Sequence, residues 1–294
     1  MHIWLNNELD TLEEYFGRVA RENPKRISIH YNDFKWYQRG KEERKLKIKV
    51  EQDNVDDVTL YRYITISQMW KIISSNKIDL LNPSLWKDPL ESPFFNAKVW
   101  QEDRYVDTPF KNRFFAQCFT INDTSESMWK TYGFGEKLVR LKIKVGALRR
   151  LIENNSDSFD SNSFYLGRMV YLNFEDMKDL FMNGYRFEKT INLVNVHDQV
   201  KTLLVKRYAY TFEKEIRLIF DGHSKFTQRK AIPKVISLDI PNLQDLISEI
   251  LLDPELSDHE ISFYKDAWNF IPRNRIIKCN LYSKNDYQLK LGRD

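Results

Sequence analysis

Hydrophobic and polar positions along this chain change period several times, and the changes mark its elements. Residues 9–22 set Leu9, Leu12, Tyr15, Phe16 and Val19 on one helical stripe. Two strands are expected near 27–31 and 45–50, before the acidic, polar "EQDNVDD" (51–57). That stretch reads as a seam between an N-terminal appendage, residues 1–50, and a main domain, residues 58–294. "LYRY" opens a short strand, 59–63. Thr65 and Gln68 then have capping-box spacing, ahead of a helix with Ile66, Met69, Trp70 and Ile73 on its apolar stripe. Strands are predicted at "RFFAQCFT" (113–120), "LVRLKIKV" and "YLGRMVYL", with a helix between the last two. Helical segments over about 174–184 and 190–206 lead to a strand at 213–220. The chain closes as strand "KVISLDI", helix "NLQDLIS", strand "EILLD", helix 257–269 and strand "RIIKCNLY". Strands outnumber long helices and do not alternate regularly with them, which predicts an α+β fold rather than a doubly wound sheet.

The run "YTFEKEIRLIF" (210–220) interrupts this pattern with two glutamates. At period two, Phe212, Lys214, Ile216, Leu218 and Phe220 share one face. Glu213, Glu215 and Arg217 share the other, with successive Cα atoms about 6.5–7 Å apart. Such a face is either solvated or a working carboxylate pair.

Composition narrows the choice. The chain has 294 residues, 42% hydrophobic and 30% charged, enough for a substantial core. "MHIWLNNELD" has neither a basic start nor an apolar centre, so no signal peptide is expected, and no apolar run approaches a membrane span. Two cysteines, Cys118 and Cys279, make no disulfide framework and fit a reducing cytoplasm. Cys118 reads as a small buried hydrophobe. Five scattered histidines without metal-ligand spacing leave no dedicated metal site to expect. There is no GxSxG, no P-loop and no GxGxxG, which disfavours hydrolase, NTPase and dinucleotide-domain readings. A metal nuclease could draw on Asp88, Glu91, Glu213 and Glu215, but alternation turns Lys214 away from the glutamates.

The net charge of +4 is unevenly spread. Residues 137–150 hold six basic residues and no acid. Arg140, Lys142 and Lys144 alternate with Val139, Leu141, Ile143 and Val145, so they line one strand face. That face fits a nucleic-acid partner or a soluble, lysine-protected strand edge.

Taken in order, "LYRY … WKDPLESPF … CFT … MWKTYGFGEKLVRLKI … VYL … YTFEKEIRLIF … ISEILLDPELS" resembles a bacterial family of domains of unknown function. The family's marks are N-D-P-[FL]-E, C-F-[ST], M-W-x-x-Y and Y-E-x-E-x-R-L. The resemblance covers roughly residues 57–285. Lys87 stands where the family usually has Asn, and Phe212 where it usually has Tyr. The family in turn resembles the ADP-ribosyltransferase fold, with split mixed and antiparallel sheets and flanking helices. The active site of that fold is carried by Arg or His on one strand, Ser or Thr on a second and E-x-E on a later one. Here that order is Arg62, Thr120 and Glu213-Lys214-Glu215.

The resemblance implies an enzyme that consumes NAD as a substrate and needs no metal. Glu215 would hold the ribose and stabilise its developing cation, and Glu213 would orient or deprotonate the incoming nucleophile. Arg62, with Tyr61 beside it, would bind NAD through its phosphates, and Thr120 would bind the ribose or fix Glu215. Trp129 and Tyr132 would wall the nicotinamide pocket, Arg217 would keep the carboxylates ionised, and Asp88 and Glu91 would support the loop around them. Some transferases of this kind are toxins in phage-defence loci, one of them with an antitoxin and a chaperone. That enzyme modifies mRNA, and with the alternating cations Arg140, Lys142 and Lys144 this favours an RNA acceptor, with an antitoxin or chaperone as a further expected partner. A metal-dependent nuclease and a non-enzymatic binding module stay open as alternatives.

Overall fold

The computed structural model describes residues 1–4, 55–86, 91, 98–101, 103–107, 113–133, 135–175, 196–226 and 233–282. The strands in chain order are β1 His2–Trp4, β2 Thr59–Thr65, β3 Lys77–Leu81, β4 Lys98–Gln101, β5 Arg104–Asp107, β6 Phe114–Thr120 and β7 Leu138–Lys144. They continue with β8 Phe164–Arg168, β9 Val170–Leu172, β10 Val205–Arg207, β11 Glu215–Asp221, β12 Val235–Asp239, β13 Glu249–Leu252 and β14 Ile276–Lys278. Among the described residues ten of these form one sheet, whose main path runs β1-β8-β11-β6-β2-β7-β13-β14. The β1–β8 and β13–β14 pairs are parallel and the other pairs of this sheet antiparallel, so the fold is α+β with a mixed sheet. Strand β6 forks: one edge meets β11 along its full length, while the other meets β2 at Tyr61↔Thr120 and β3 at Leu81↔Ala116.

Period-two burial divides the sheet into two faces. One face sends Leu60, Ile64, Leu141, Ile143, Ile216, Leu218, Phe220, Ile250 and Leu252 into the main core. Helices Ile66–Ser75, Val145–Asn154, Leu243–Leu246 and Asp258–Ala267 cover it with Met69, Leu148, Leu151, Leu243, Leu246 and Ile261. The capping box at Thr65 and Gln68 forms in both directions, fixing where the first helix starts. The opposite face carries two smaller cores. Phe114, Ala116, Tyr165 and Ile219 pack with Val200, Leu203 and Leu204 in one, and Tyr63, Leu138 and Leu251 pack with Met128 and Trp129 in the other.

Several elements depart from the sequence pattern. "YLGRMVYL" splits at Met169 into β8 of the main sheet and β9, which pairs with β10 in a separate two-stranded sheet. Residues 190–206, expected as helix, contain helix Val196–Thr202 and then strand β10. Of the expected appendage, residues 2–4 form β1 along β8, so the first strand belongs to the main sheet. The expected helix 9–22 and strands 27–31 and 45–50 lie outside the described residues, as do 176–184. Within the seam, 55–57 is a turn of 3-10 helix that packs against the main domain. Asp56 pairs with Arg149 at 2.7 Å, and a Cβ on Gly146 would come within 3.0 Å of Asp56 Cβ. A larger residue at 146 would require Asp56 to shift by a few tenths of an ångström.

Candidate active site

A polar row crosses the same face of the sheet as the two smaller cores. Glu215 pairs with Thr120, Thr120 with Tyr61, Tyr61 with Lys142 and Lys142 with Glu249. Paired residues share a face, so strands β11, β6, β2, β7 and β13 each contribute one side chain to this row.

The two glutamates meet, though not as successive residues of one strand. Strand β11 begins at Glu215, and Glu213 ends the 3-10 helix Tyr208–Glu213. Lys214 between them adopts a left-handed conformation (φ 42°), and its side chain is exposed. The expected alternation over 213–217 therefore fails at Lys214, because the backbone reverses there to enter the strand. Asn122 Nδ2 donates to the Phe212 carbonyl, and Thr120 Oγ1 donates to the Glu213 carbonyl at 2.5 Å. Tyr171 hydroxyl accepts from the Glu215 amide at 2.8 Å. Thr120 thus anchors the backbone of the glutamate turn.

Lysine 206 brings the carboxylates together. Its ammonium donates to Glu213 Oε2 at 2.6 Å and to Glu215 Oε2 at 2.9 Å, and lies 3.5 Å from Glu91 Oε1. Arg217 Nε donates to the other Glu215 oxygen at 2.6 Å, Nη2 to Glu91 Oε1 at 3.1 Å and Nη1 to the Leu203 carbonyl at 2.6 Å. The Arg217 guanidinium stacks over Trp86 at 4.2 Å, and the Lys206 ammonium faces Tyr210 at 4.6 Å. Glu213 and Glu215 are each 2% exposed and Arg217 is fully buried.

The environment separates the two carboxyls. Burial raises Glu213 to about 7, opposed by Lys206 and assisted by the charge of Glu215. Burial also pushes Glu215 upward, but Arg217 and Lys206 outweigh it and hold this carboxyl well below the usual carboxylate range. Burial alone would lower Lys206, yet Glu215, Glu91 and Glu213 raise it, so the ammonium stays charged. Tyr132, which shares a hydrogen bond with Glu213, is raised by burial and by both glutamates.

The structure brings together Glu213, Glu215, Arg217, Glu91 and Tyr132 of the residues singled out from sequence, with Thr120 and Tyr61 in the adjoining row. Asp88 lies outside the described residues. Arg62 does not join them: as the neighbour of Tyr61 it points to the opposite face, where burial lowers it to about 10 against the favourable charge of Asp79. Trp129 belongs to the small core, edge-on to Tyr63 at 5.0 Å.

The basic strand is corrected most. β7 lies between β2 and β13, so it is no sheet edge. Arg140 is 3% exposed, stacks over Tyr61 at 4.5 Å and pairs with Asp123 and Glu249. Lys142 lies 3.7 Å from Glu249, and Lys144 pairs with Asp57 at 3.0 Å. Acids from distant segments neutralise the face that reads as basic in sequence.

Sequence reasoning missed Lys206, whose only signal is a lysine inside the apolar run "LLVKRY". It also took Cys118 for a plain hydrophobe. The Cys118 thiol instead bonds to Glu215, and burial and that carboxylate push its pKa up. Glu91, Cys118 and Glu215 place ligand-type atoms within 4.8 Å of one another. Lys206 and Arg217 hold the two Glu215 oxygens, and the proximity of these three residues is not in itself evidence of a metal ion. Among the described residues no helix is long and apolar enough to cross a membrane. No family model, curated protein or solved structure matches this chain.

Proposed function

We propose that this protein is an NAD-consuming ADP-ribosyltransferase that uses Glu215 and Glu213, acting as a toxin or phage-defence effector. The observation that carries the proposal is the pair itself: two buried carboxylates share one ammonium, with one held ionised and the other titrating near neutrality. Environments that push two carboxyls apart in this way suit them to different tasks. Further support comes from the sheet, where Tyr61, Thr120 and Glu215 of neighbouring strands stand in one row.

Cleavage would break the bond between ribose C1′ and the nicotinamide nitrogen, and nicotinamide would leave with the electron pair. The sugar then passes through an oxocarbenium-like state. Glu215, ionised throughout the physiological range, would stabilise that charge. The acceptor's lone pair would form the new bond to C1′, and its proton would pass to the Glu213 carboxylate. Glu91 and Tyr132, half-buried, are solvent-facing members of the cluster. The acceptor we propose is RNA. With Arg140 engaged by acids, this part rests on the net positive charge and on the partly exposed Lys142 and Lys144.

A second reading is favoured by the full pairing of Lys206 and Arg217: an ion cluster that only fixes the junction of β10 and β11. Incubating the pure protein with labelled NAD, with RNA, DNA and lysate protein as acceptors, separates the two. The transferase releases nicotinamide and labels RNA. A structural cluster does neither, and label on protein alone would overturn the RNA acceptor.

A further inference from the structure

We infer that Lys206 is the positioning residue of the glutamate pair, holding Glu213 against Glu215 with a single ammonium. This rests on the reading of the two glutamates as a working pair, and it adds a residue from outside the E-x-E segment.

The backbone alone does not set the pair. Two residues apart on a regular strand, the carboxylates would share a face, but Lys214 breaks the strand and Glu213 belongs to the preceding turn. Something else must turn Glu213 inward. Lys206 does so from β10, seven residues earlier, because the 3-10 helix Tyr208–Glu213 folds the chain back onto it. Its own position is secured on three sides. β10 pairs with β9 through Lys206↔Tyr171, the Tyr210 ring lies against the ammonium, and Glu91 approaches from a separate segment. Lys206 is 3% exposed, so bulk solvent hardly reaches the ammonium.

Like charges this close repel unless a cation lies between them. Charged and titratable groups reach Glu213 from each neighbouring element: Lys206 from β10, Glu215 from β11, Tyr132 from the helix Glu126–Tyr132 and Tyr171 from β9. Arg217, Glu91 and Cys118 act one step further out, on Glu215 and Lys206. Of these, Lys206 alone donates a charged hydrogen bond to both glutamates among the described residues. Its removal therefore leaves Glu213 without a cation of its own, facing a Glu215 that keeps only Arg217.

The test reads Glu213 directly. The full chain is prepared with glutamate labelled at the carboxyl carbon, and its titration is followed by carbon NMR, with Glu213→Gln identifying the signal. Lys206→Met, and Lys206→Gln should the first variant unfold, is expected to move the Glu213 midpoint up by about one pH unit or more. Lys206→Arg is expected to restore the midpoint to within about half a unit of the parent, because it returns the charge. The acid limb of nicotinamide release should move with the midpoint. A folded charge-removing variant with an unmoved midpoint overturns the assignment, and so does a Lys206→Arg protein that titrates like Lys206→Met. If the parent releases no nicotinamide, the transferase reading fails, but the NMR titration still decides the role of Lys206.

Discussion

Two charged clusters stand on one face of the sheet with β6 and β2 between them, and they solve burial differently. Around Arg140, one buried guanidinium meets Asp123 and Glu249, whose side chains are 69% and 22% exposed. Each acid there can rehydrate if its partner is lost. Around Glu215, three carboxylates meet two cations, and the central glutamates and cations are all at most 4% exposed. Only Glu91, at 19%, reaches the edge of the cluster; neither central glutamate and neither cation can turn to water, so those charges must settle their protonation among themselves. The first arrangement is what a stable surface row needs. The second goes beyond that need, because it forces two like charges together, and this is the ground for reading it as chemistry.

The largest effect should come from breaking the buried cluster. Arg217→Met leaves Glu215 and Glu91 facing each other without their shared guanidinium, and should cost about 3–5 kcal/mol in urea unfolding. Arg140→Met should cost less, about 1–2 kcal/mol, since its acids turn outward. Equal losses would erase the distinction between the two clusters.

The pH dependence of stability sharpens the contrast. Folded Glu213 keeps its proton up to about 7, whereas an unfolded glutamate releases it near 4.5. Its raised value therefore gives stability that is complete below pH about 4.5 and is lost as pH rises to about 7. Glu215, held low, contributes in the opposite sense: its stabilisation is present above about 4.5 and is lost as pH falls. Urea melts between pH 4.5 and 7 should show a smaller decline, or a rise, in Glu213→Gln relative to the parent. Parallel profiles for the two proteins would remove Glu213 from this account. The smallest effect belongs to the Arg140 side of the sheet: Lys144→Ala removes an exposed pair with Asp57 and should change stability by less than about 1 kcal/mol.

What could be read in the sequence follows from how local each cause is. Strands β2, β6 and β7 and the helix capped by Thr65 and Gln68 are legible because their periodicity and caps lie within a few residues. The glutamates, Arg217 and Glu91 are legible as chemistry because acids and arginine in apolar surroundings need partners. The split at Met169 is not legible: two strands of one apolar run join different sheets, and the Met169 amide bonds to the Glu215 carbonyl, a partner far along the chain. Nor could sequence show that Arg140 is neutralised, since Asp123 and Glu249 reach it only across the folded sheet. Lys206 stayed hidden for the same reason. Its run reads as the end of a helix, and only the turn at 208–213 brings it to the carboxylates. The break at Lys214 is hardest of all, because a lysine in a left-handed conformation leaves no mark in a pattern of polar and apolar residues.

The most direct test is nicotinamide release from NAD by the parent and by Glu215→Gln, with circular dichroism melts establishing that both are folded. The substitution keeps the shape and most hydrogen bonds of residue 215 but removes the charge that would face the oxocarbenium. The account predicts turnover by the parent and a loss of about 100-fold or more in the variant. A folded Glu215→Gln protein that releases nicotinamide as fast as the parent, or a parent that releases none with any acceptor, would contradict it.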